Sequence, residues 1–486
     1  MRCLCLVLVL AACGDDGTNT PAVDGGLDGS GDAAIGIDAG PPALTIASTG
    51  RVRLRAGDSG TLTVTLGGAV MGATTLRATS MPTGVTIEPM TVSAAGAVEL
   101  VVTAGAAAMP TTMTTTIVAT DDDDARTAQA MADVGVIGVA GTLDVTYNGD
   151  GQLDVVMPSS VAKVIAFEDD YDFFTVEQGD TVRRRQATGG AIDATWTQEG
   201  LLDVLGTRLL AVPGNRLAIQ RSYFSGNSVG GDLSLHDATG HRVWRSEQPT
   251  NIWDSRFANG ALYIHSENNG PTGYIKTLSL TGTLGPLVTG DTLMLGSYGD
   301  LQVDGAGRVV VSGSRSPRAG VGRFTTAGAP DATFGTDGVF EITSPLTGGA
   351  GLSSTVLVVA PTGEGYALVY FSGTGGGRSY LVPFSASGVA GALIPVTTQH
   401  ADSYAALVRL QSDGKILVGG NDAGAGFVRR YLASGQLDST FANAGTLALP
   451  YVPDELTVFA ADDRLMVSMI QQVTNGGTIH LARVWL

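Results

Sequence analysis

Reactive side chains are sparse in this chain, and their spacing excludes most catalytic arrangements. The five histidines, His236, His241, His265, His400 and His480, fall at no metal-site spacing, and no HExxH run occurs. His236 and His241 stand around one turn, where two surface side chains are favoured over a shared metal. Cys3, Cys5 and Cys13 are the only cysteines, so beyond residue 13 there is no disulfide, thiolate ligand or cysteine nucleophile. No Walker-type phosphate loop appears. No nucleophile, base and orienting group can be assembled, and no catalytic residue, metal or cofactor is implied. What recurs is a ring beside a carboxylate: Trp253-Asp254, Tyr298 with Asp300, His400 with Asp402 and Tyr404, and Tyr451 with Asp454. Such groups can line a pocket for a sugar, a cation or a basic peptide. The competing reading has the rings filling space between structural units while the carboxylates stay hydrated.

A repeat must position these groups. Gly, Asp three residues on, an aromatic three further and Gly four further recur as Gly141/Asp144/Tyr147/Gly151, Gly190/Asp193/Trp196/Gly200, Gly328/Asp331/Phe334/Gly338 and Gly435/Asp438/Phe441/Gly445. Successive starts lie 49, 138 and 107 residues apart, close to one, three and two steps of 49. Degenerate copies fall near the gaps, at Gly240, Gly282 and Gly388. Self-similarity at this period points to a propeller or array. The glycines permit turns with positive φ, the Asp accepts backbone N–H bonds in the turn, and the aromatic buries area between units. These are structural roles. Asn148-Gly149-Asp150-Gly151 resembles a cation loop in residue types, but it lies inside the first copy, where a turn is required anyway.

The most regular unit runs Ala405–Gln411, a Ser412-Asp413-Gly414 turn, Lys415–Gly420, Phe427–Leu432, the motif, and Thr446–Pro450. Four short antiparallel strands make one propeller blade. Asp413 to Gly420, continued through Gly435-Gln436-Leu437-Asp438-Ser439-Thr440-Phe441, closely resembles the delta-60 repeat family, and Asp304 to Gly338 is a second match. The resemblance implies a fold and carries little about activity. The chain stops at Ile479 to Leu486, a third strand lacking a fourth, whereas Gly141 to Val156 supplies a fourth strand lacking a blade. Joined, they complete a seventh blade and close a ring without exposed edges. A stacked open solenoid is the rival. In a propeller the between-blade connections share the funnel face, and the ring–carboxylate groups above are assigned to four such connections.

The segments before the repeat are of other kinds. From Leu44 to about residue 138, runs such as Thr61-Leu62-Thr63-Val64-Thr65-Leu66 alternate in polarity between Gly/Ala/Pro turns, as in a sandwich. Met81-Pro82-Thr83-Gly84-Val85-Thr86-Ile87-Glu88-Pro89 resembles a strand-turn of bacterial immunoglobulin-like surface modules, which implies a stalk. Asp121 to Asp124 is assigned to a hydrated hairpin tip in preference to a cation site. Gly14 to Ala43 holds six Asp and no basic residue and reads as a self-repelling tether. Its Asp24, Asp28 and Asp32 lack the bidentate Glu of a calcium loop. Arg2, the apolar run Leu4–Leu10 and Leu10-Ala11-Ala12-Cys13 have the parts of a secretory signal. They resemble the lipobox of bacterial lipoproteins, which implies cleavage before Cys13 and its acylation.

The expected fold is therefore all-β: signal peptide 1–12, acidic linker 13–43, immunoglobulin-like β-sandwich 44–138, and a seven-bladed β-propeller 139–486 closed by a composite blade. A formal charge of −18 argues against nucleic acid, and the short Arg183–Arg185 run, assigned to an exposed strand face, does not reverse it. The preferred role is an extracytoplasmic, lipid-anchored binding or scaffold protein of the cell envelope, attached to the membrane through its N-terminal lipid and engaging a protein or glycan. The alternatives are a propeller enzyme acting on carbohydrate (hydrolase, lyase or dehydrogenase) and a purely structural envelope component.

Overall fold

The structure is a computed structural model. It describes residues 43–486 except 49–50, 69, 71, 158–160, 167–171, 178–180, 197–207, 226–227, 249–250, 268–272, 290–296, 316–317, 348–350, 460–462 and 474–475. The signal and lipidation assignments, Cys13 included, lie outside the described residues, as does nearly all of the acidic linker. Among the described residues every regular element is a strand.

Alternation builds the first region. Leu62, Val64 and Leu66 all point inward from Ser59–Gly67, and Val98, Leu100 and Val102 do so from Gly96–Ala104, because successive strand residues face opposite sides. One sheet has the order Thr45–Ser48, Ser59–Gly67, Gly96–Ala104, Val85–Ile87. The other has Arg51–Arg55, Thr127–Ile137, Thr111–Asp121, Thr74–Ala78, Met90–Val92, with its first pair parallel. Both feed a single apolar core that includes Leu76, Ile117 and Val134. At the acidic tip, Asp121 is buried and paired with Arg126 at 3.0 Å.

The second region comprises seven small antiparallel sheets among the described residues. The blade around the best repeat copy has strands Tyr404–Leu410, Ile416–Asp422, Ala425–Tyr431 and Thr446–Leu449, in spatial order. Each sheet's first strand packs beside the next sheet's: Val161–Ala166, Arg208–Val212, Asn251–Ala258, Ser297–Val303, Gly351–Val359, Tyr404–Leu410, then Glu455–Phe459, which packs again against Val161–Ala166. The last sheet joins chain segments more than three hundred residues apart. Gln152–Met157 pairs antiparallel with Gly476–Trp485, Gln152 opposite Ala482 and Met157 opposite Gly477.

The repeat motif forms a clasp within a sheet. Asp144, Asp193, Asp331 and Asp438 each accept, on Oδ1, the N–H and hydroxyl of the Thr two residues on, with hydroxyl distances of 2.6 Å in all four copies. The N–H of the same Asp donates to the backbone carbonyl of an arginine on the third strand: Arg483, Arg184, Arg323 and Arg430 respectively. That arginine's guanidinium returns to the carboxylate, at 2.8 Å for Arg323–Asp331, 2.9 Å for Arg430–Asp438 and 2.8 Å for Arg483–Asp144. In these three copies it also lies over the motif aromatic, 4.5–4.8 Å from the ring centroids of Phe334, Phe441 and Tyr147. The composite sheet thus rebuilds, from both ends of the region, the clasp that other sheets form locally. Gly141 and Gly435 are needed at φ of +81° and +82°, where a side chain would strain the turn. Of the Arg183–Arg185 run only Arg183 is exposed, since Arg185 is buried and bonds the Gly190 carbonyl at 2.9 Å.

Candidate functional site

Six of the seven first strands contribute to one pocket of about 320 Å³, Asp454 preceding the last of them. Its walls carry Arg208, Leu209 and Leu210, then Arg256, Gly299 with Asp300, Val356, Ala406, Leu407 and Arg409, and finally Asp454 and Glu455. Four of these strands bulge near the pocket, where pairing to the second strand shifts at Ile252/Asp254, Tyr298/Leu301, Leu352/Ser354 and Ala405/Leu407. A bulge re-aims side chains that strict alternation would point elsewhere. Gly299 lets two first strands approach closely, because a Cβ there would sit 2.7 Å from the Thr355 carbonyl oxygen. A larger pocket of about 460 Å³, around Asn259, Tyr263, Thr277 and Gly305–Gly307, lies between two sheets and has no charged side chain in its wall. The smaller one has the chemistry.

Its charges are laced from strand to strand. Asp254 pairs with Arg208 and accepts the Leu301 N–H at 2.9 Å. Asp300 pairs with Arg256 at 2.9 Å and accepts the Leu357 N–H at 2.8 Å. Arg409 pairs with Glu455 and donates from Nε to the Leu456 carbonyl at 2.7 Å. Asp254 and Asp300 hydrogen-bond each other. Burial, reinforced by the Asp300 charge and opposed by Arg208, pushes the Asp254 carboxyl up to about 7. Burial acts the same way on Asp300, but Arg256 and the bonds from Asp254 and Leu357 outweigh it and bring that carboxyl to about 2. At the mouth, Asp454 accepts the Ile470 N–H at 2.6 Å, and burial together with Glu455 raises its carboxyl. Behind the wall, His265 stands opposite Asp254 in the ladder, and burial pushes it down to about 4.

The sequence-based candidates divide. Asp254, Asp300 and Asp454 come together around this pocket. Trp253 and Asp254 lie within the strand Asn251–Ala258, Tyr298 and Asp300 within Ser297–Val303, and Tyr404 opens Tyr404–Leu410, so these five are not on connections as expected. The first strands extend further toward the funnel than the polarity pattern indicates, because bulges break their alternation. Nor are Asp254 and Asp300 hydrated; both are at most 5% exposed. The side chains of Trp253 and Tyr298 lie outside the described residues. His400, Asp402 and Tyr404 are exposed and away from the pocket wall, with His400 Nδ1 accepting the Asp402 N–H at 3.1 Å. Tyr451 instead stacks on His480, 4.5 Å between centroids, and His480 bonds Asp154 at 2.8 Å. The arginines Arg208, Arg256 and Arg409 and the carboxylate Glu455 escaped sequence reasoning; a charged residue inside an otherwise apolar first strand was the available signal. Gly226-Asn227-Ser228-Val229-Gly230 has the spelling of a nucleophile elbow, but Ser228 stands opposite Ser225 in an antiparallel pair of strands, where an elbow needs a strand followed by a helix.

Small antiparallel sheets packed first strand to first strand around a pocket define a β-propeller protein. Residues 411–441 match the family described as domain of unknown function (DUF5122) beta-propeller, within the blade read most clearly from sequence. Among solved structures, the chain is similar to prolyl oligopeptidase B from Galerina marginata, at 9% identity and a TM-score of 0.43 over 67% of this chain and 48% of that one. It is also similar to a HIRA fragment, at 12% identity and a TM-score of 0.24 over 39% and 55%. The chain thus spans about half the length of the peptidase. No curated protein matches it.

Proposed function

We propose that this chain is a lipid-anchored protein of the cell envelope in which residues 13–43 act as tether, an immunoglobulin-like module over 44–138 as stalk, and a seven-bladed propeller over 139–486 as the ligand-binding platform. The observation that carries the binding role is the charged pocket between first strands, where three arginines and three carboxyl groups line a cleft of ligand size and Asp254 is buried behind Arg208. The cycle of first-strand contacts and the pairing of Gln152–Met157 with Gly476–Trp485 support seven blades, one of them composite. The two sheets around one core, with a Pro82-Thr83-Gly84 turn before Val85–Ile87, support the immunoglobulin-like assignment. Leu10-Ala11-Ala12-Cys13 supports the anchor. The exterior partner is a glycan or a protein.

Two measurements test this. Expressed in a bacterium, the full chain should partition into detergent and incorporate labelled fatty acid, and Cys13→Ser should abolish both; aqueous partitioning of the unmodified chain would remove the anchor. Glycan-array and pull-down screening should find a ligand that is lost on Arg409→Gln. Retention of nothing, alongside turnover of a carbohydrate, would favour a catalytic reading instead. That second reading is motivated by the opposite displacement of the Asp254 and Asp300 carboxyls, the pattern of an acid and a base held side by side. It requires Asp300→Asn to abolish turnover in a protein that still folds.

A further inference from the structure

We propose that the first-strand pocket selects a small ligand bearing a carboxylate, of about one sugar ring in size, through Arg208, Arg256 and Arg409. The proposal rests on the reading of this pocket as the ligand site. The three guanidiniums come from three different first strands, and although each is ion-paired their side chains keep 27%, 24% and 27% exposure. By contrast Arg323 and Arg430, in the repeat clasps, keep 1% and 4%. A guanidinium offers five N–H donors in a planar fork. Among the described residues the hydrogen bonds and ion pairs of Arg208 go to Asp254 and those of Arg256 to Asp300 and the Leu301 carbonyl, while Arg409 spends Nε on the Leu456 carbonyl, one Nη on the Val408 carbonyl and the other on Glu455, so each five-donor fork keeps N–H groups that a carboxylate can accept.

Charge balance points the same way. Three guanidiniums face Asp300 and Glu455, with Asp454 at the mouth and Asp254 between Arg208 and Asp300. Burial pushes the Asp254 carboxyl up to about 7 and raises the Asp454 carboxyl, so the pocket loses negative charge as pH falls below neutral while its three guanidiniums stay charged. It does so within a chain of net charge −18. An anion gains from that loss of opposing charge, and a cation or a basic peptide loses by it. The volume lies at the small end of ligand pockets, roughly 300–1,000 Å³, which limits the ligand to about one ring.

Calorimetric titration of the full chain at pH 6 with glucuronate, glucose, glucosamine and inorganic phosphate tests this. Glucuronate should bind at least about tenfold more tightly than glucose, and Arg208→Gln and Arg409→Gln, with cooperative thermal unfolding retained, should each erase that preference. If Arg208→Gln does not fold, a preference that survives in Arg409→Gln overturns the proposal. Glucose binding as well as glucuronate, glucosamine being preferred, or phosphate matching glucuronate would each overturn the carboxylate assignment while leaving the pocket as a ligand site. Binding of none of the four would remove the carboxylate assignment and, with an empty glycan and pull-down screen, the pocket itself.

Discussion

Arginine–aspartate pairs appear twice in the propeller, once at the repeat motifs and once in the wall between first strands, and they do different work. The motif pairs Arg323–Asp331 and Arg430–Asp438 close within one sheet, are capped by a Thr hydroxyl and lie against an aromatic ring. Each carboxylate is met by donors of its own sheet, and Arg323 reaches the next sheet as well, donating to the Ala386 carbonyl at 2.6 Å. The wall pairs connect one sheet to the next, keep part of each guanidinium in solvent, and set two buried carboxyls against each other so that burial raises one of them. The same two side chains therefore make a fastener where the guanidinium is buried and a recognition surface where part of it reaches solvent.

That contrast can be broken by mutation. The largest effect is expected at Asp144, fully buried between Arg464 at 2.6 Å and Arg483 at 2.8 Å, because Asp144→Ala strands two cations and opens the composite sheet. Loss of one partner of a buried pair costs about 3–5 kcal/mol, and urea unfolding should place Asp144→Ala at or above that range. Asp438→Ala should fall within it, since one guanidinium is stranded and the sheet is continuous in sequence. Thr440→Val removes two bonds of the same clasp, the hydroxyl's donation to Asp438 and its acceptance from Arg430, and should cost about 1–2 kcal/mol. Arg409→Gln, in the wall and part-exposed, should cost no more than about 1 kcal/mol while abolishing ligand retention. A wall substitution as destabilising as Asp438→Ala would show that the two kinds of pair are fasteners alike.

The smallest effect is on pH dependence. The Asp254 carboxyl is raised from 3.8 to about 7 on folding, so its contribution is complete below about 4 and is lost as pH rises through about 7. His265 is lowered from 6.5 to about 4, so its contribution is complete above 6.5 and is lost as pH falls toward 4. The two slopes oppose each other over that window. Asp254→Asn removes one of them, and urea midpoints at pH 4.5 and 6.5 should then show stability rising with pH more steeply than in the unaltered protein. An unchanged difference between the two midpoints would mean that Asp254 is ionised across the range.

Much of the propeller was legible because its signals are local. The blade read as Ala405–Gln411, Lys415–Gly420, Phe427–Leu432 and Thr446–Pro450 differs from the observed strands by a residue or two at most ends. Even the degenerate copies kept what the backbone needs: Gly240, Gly282 and Gly388 stand at φ of +88°, +81° and +74° although their Asp and aromatic are gone. The clasp arginine stands eight residues before Asp331 and Asp438, but a lone arginine on a strand does not show in sequence which carboxylate it will meet. The pocket was only half legible. Asp254, Asp300 and Asp454 drew notice through neighbouring rings, but their partners lie a full unit away in sequence, and the bulges that bring them together have no simple sequence signature.

The composite sheet has one more consequence. Because the segment at Gln152 and the segment at Ala482 are neighbours across a ladder, the protein has no intrinsic first blade; its opening is a seam that can be moved. A circular permutant of residues 139–486, with Leu486 spliced through a short linker to residue 139 and new termini cut in the connection before Tyr404, keeps every ladder contact of the propeller and only changes which sheet is assembled from both ends.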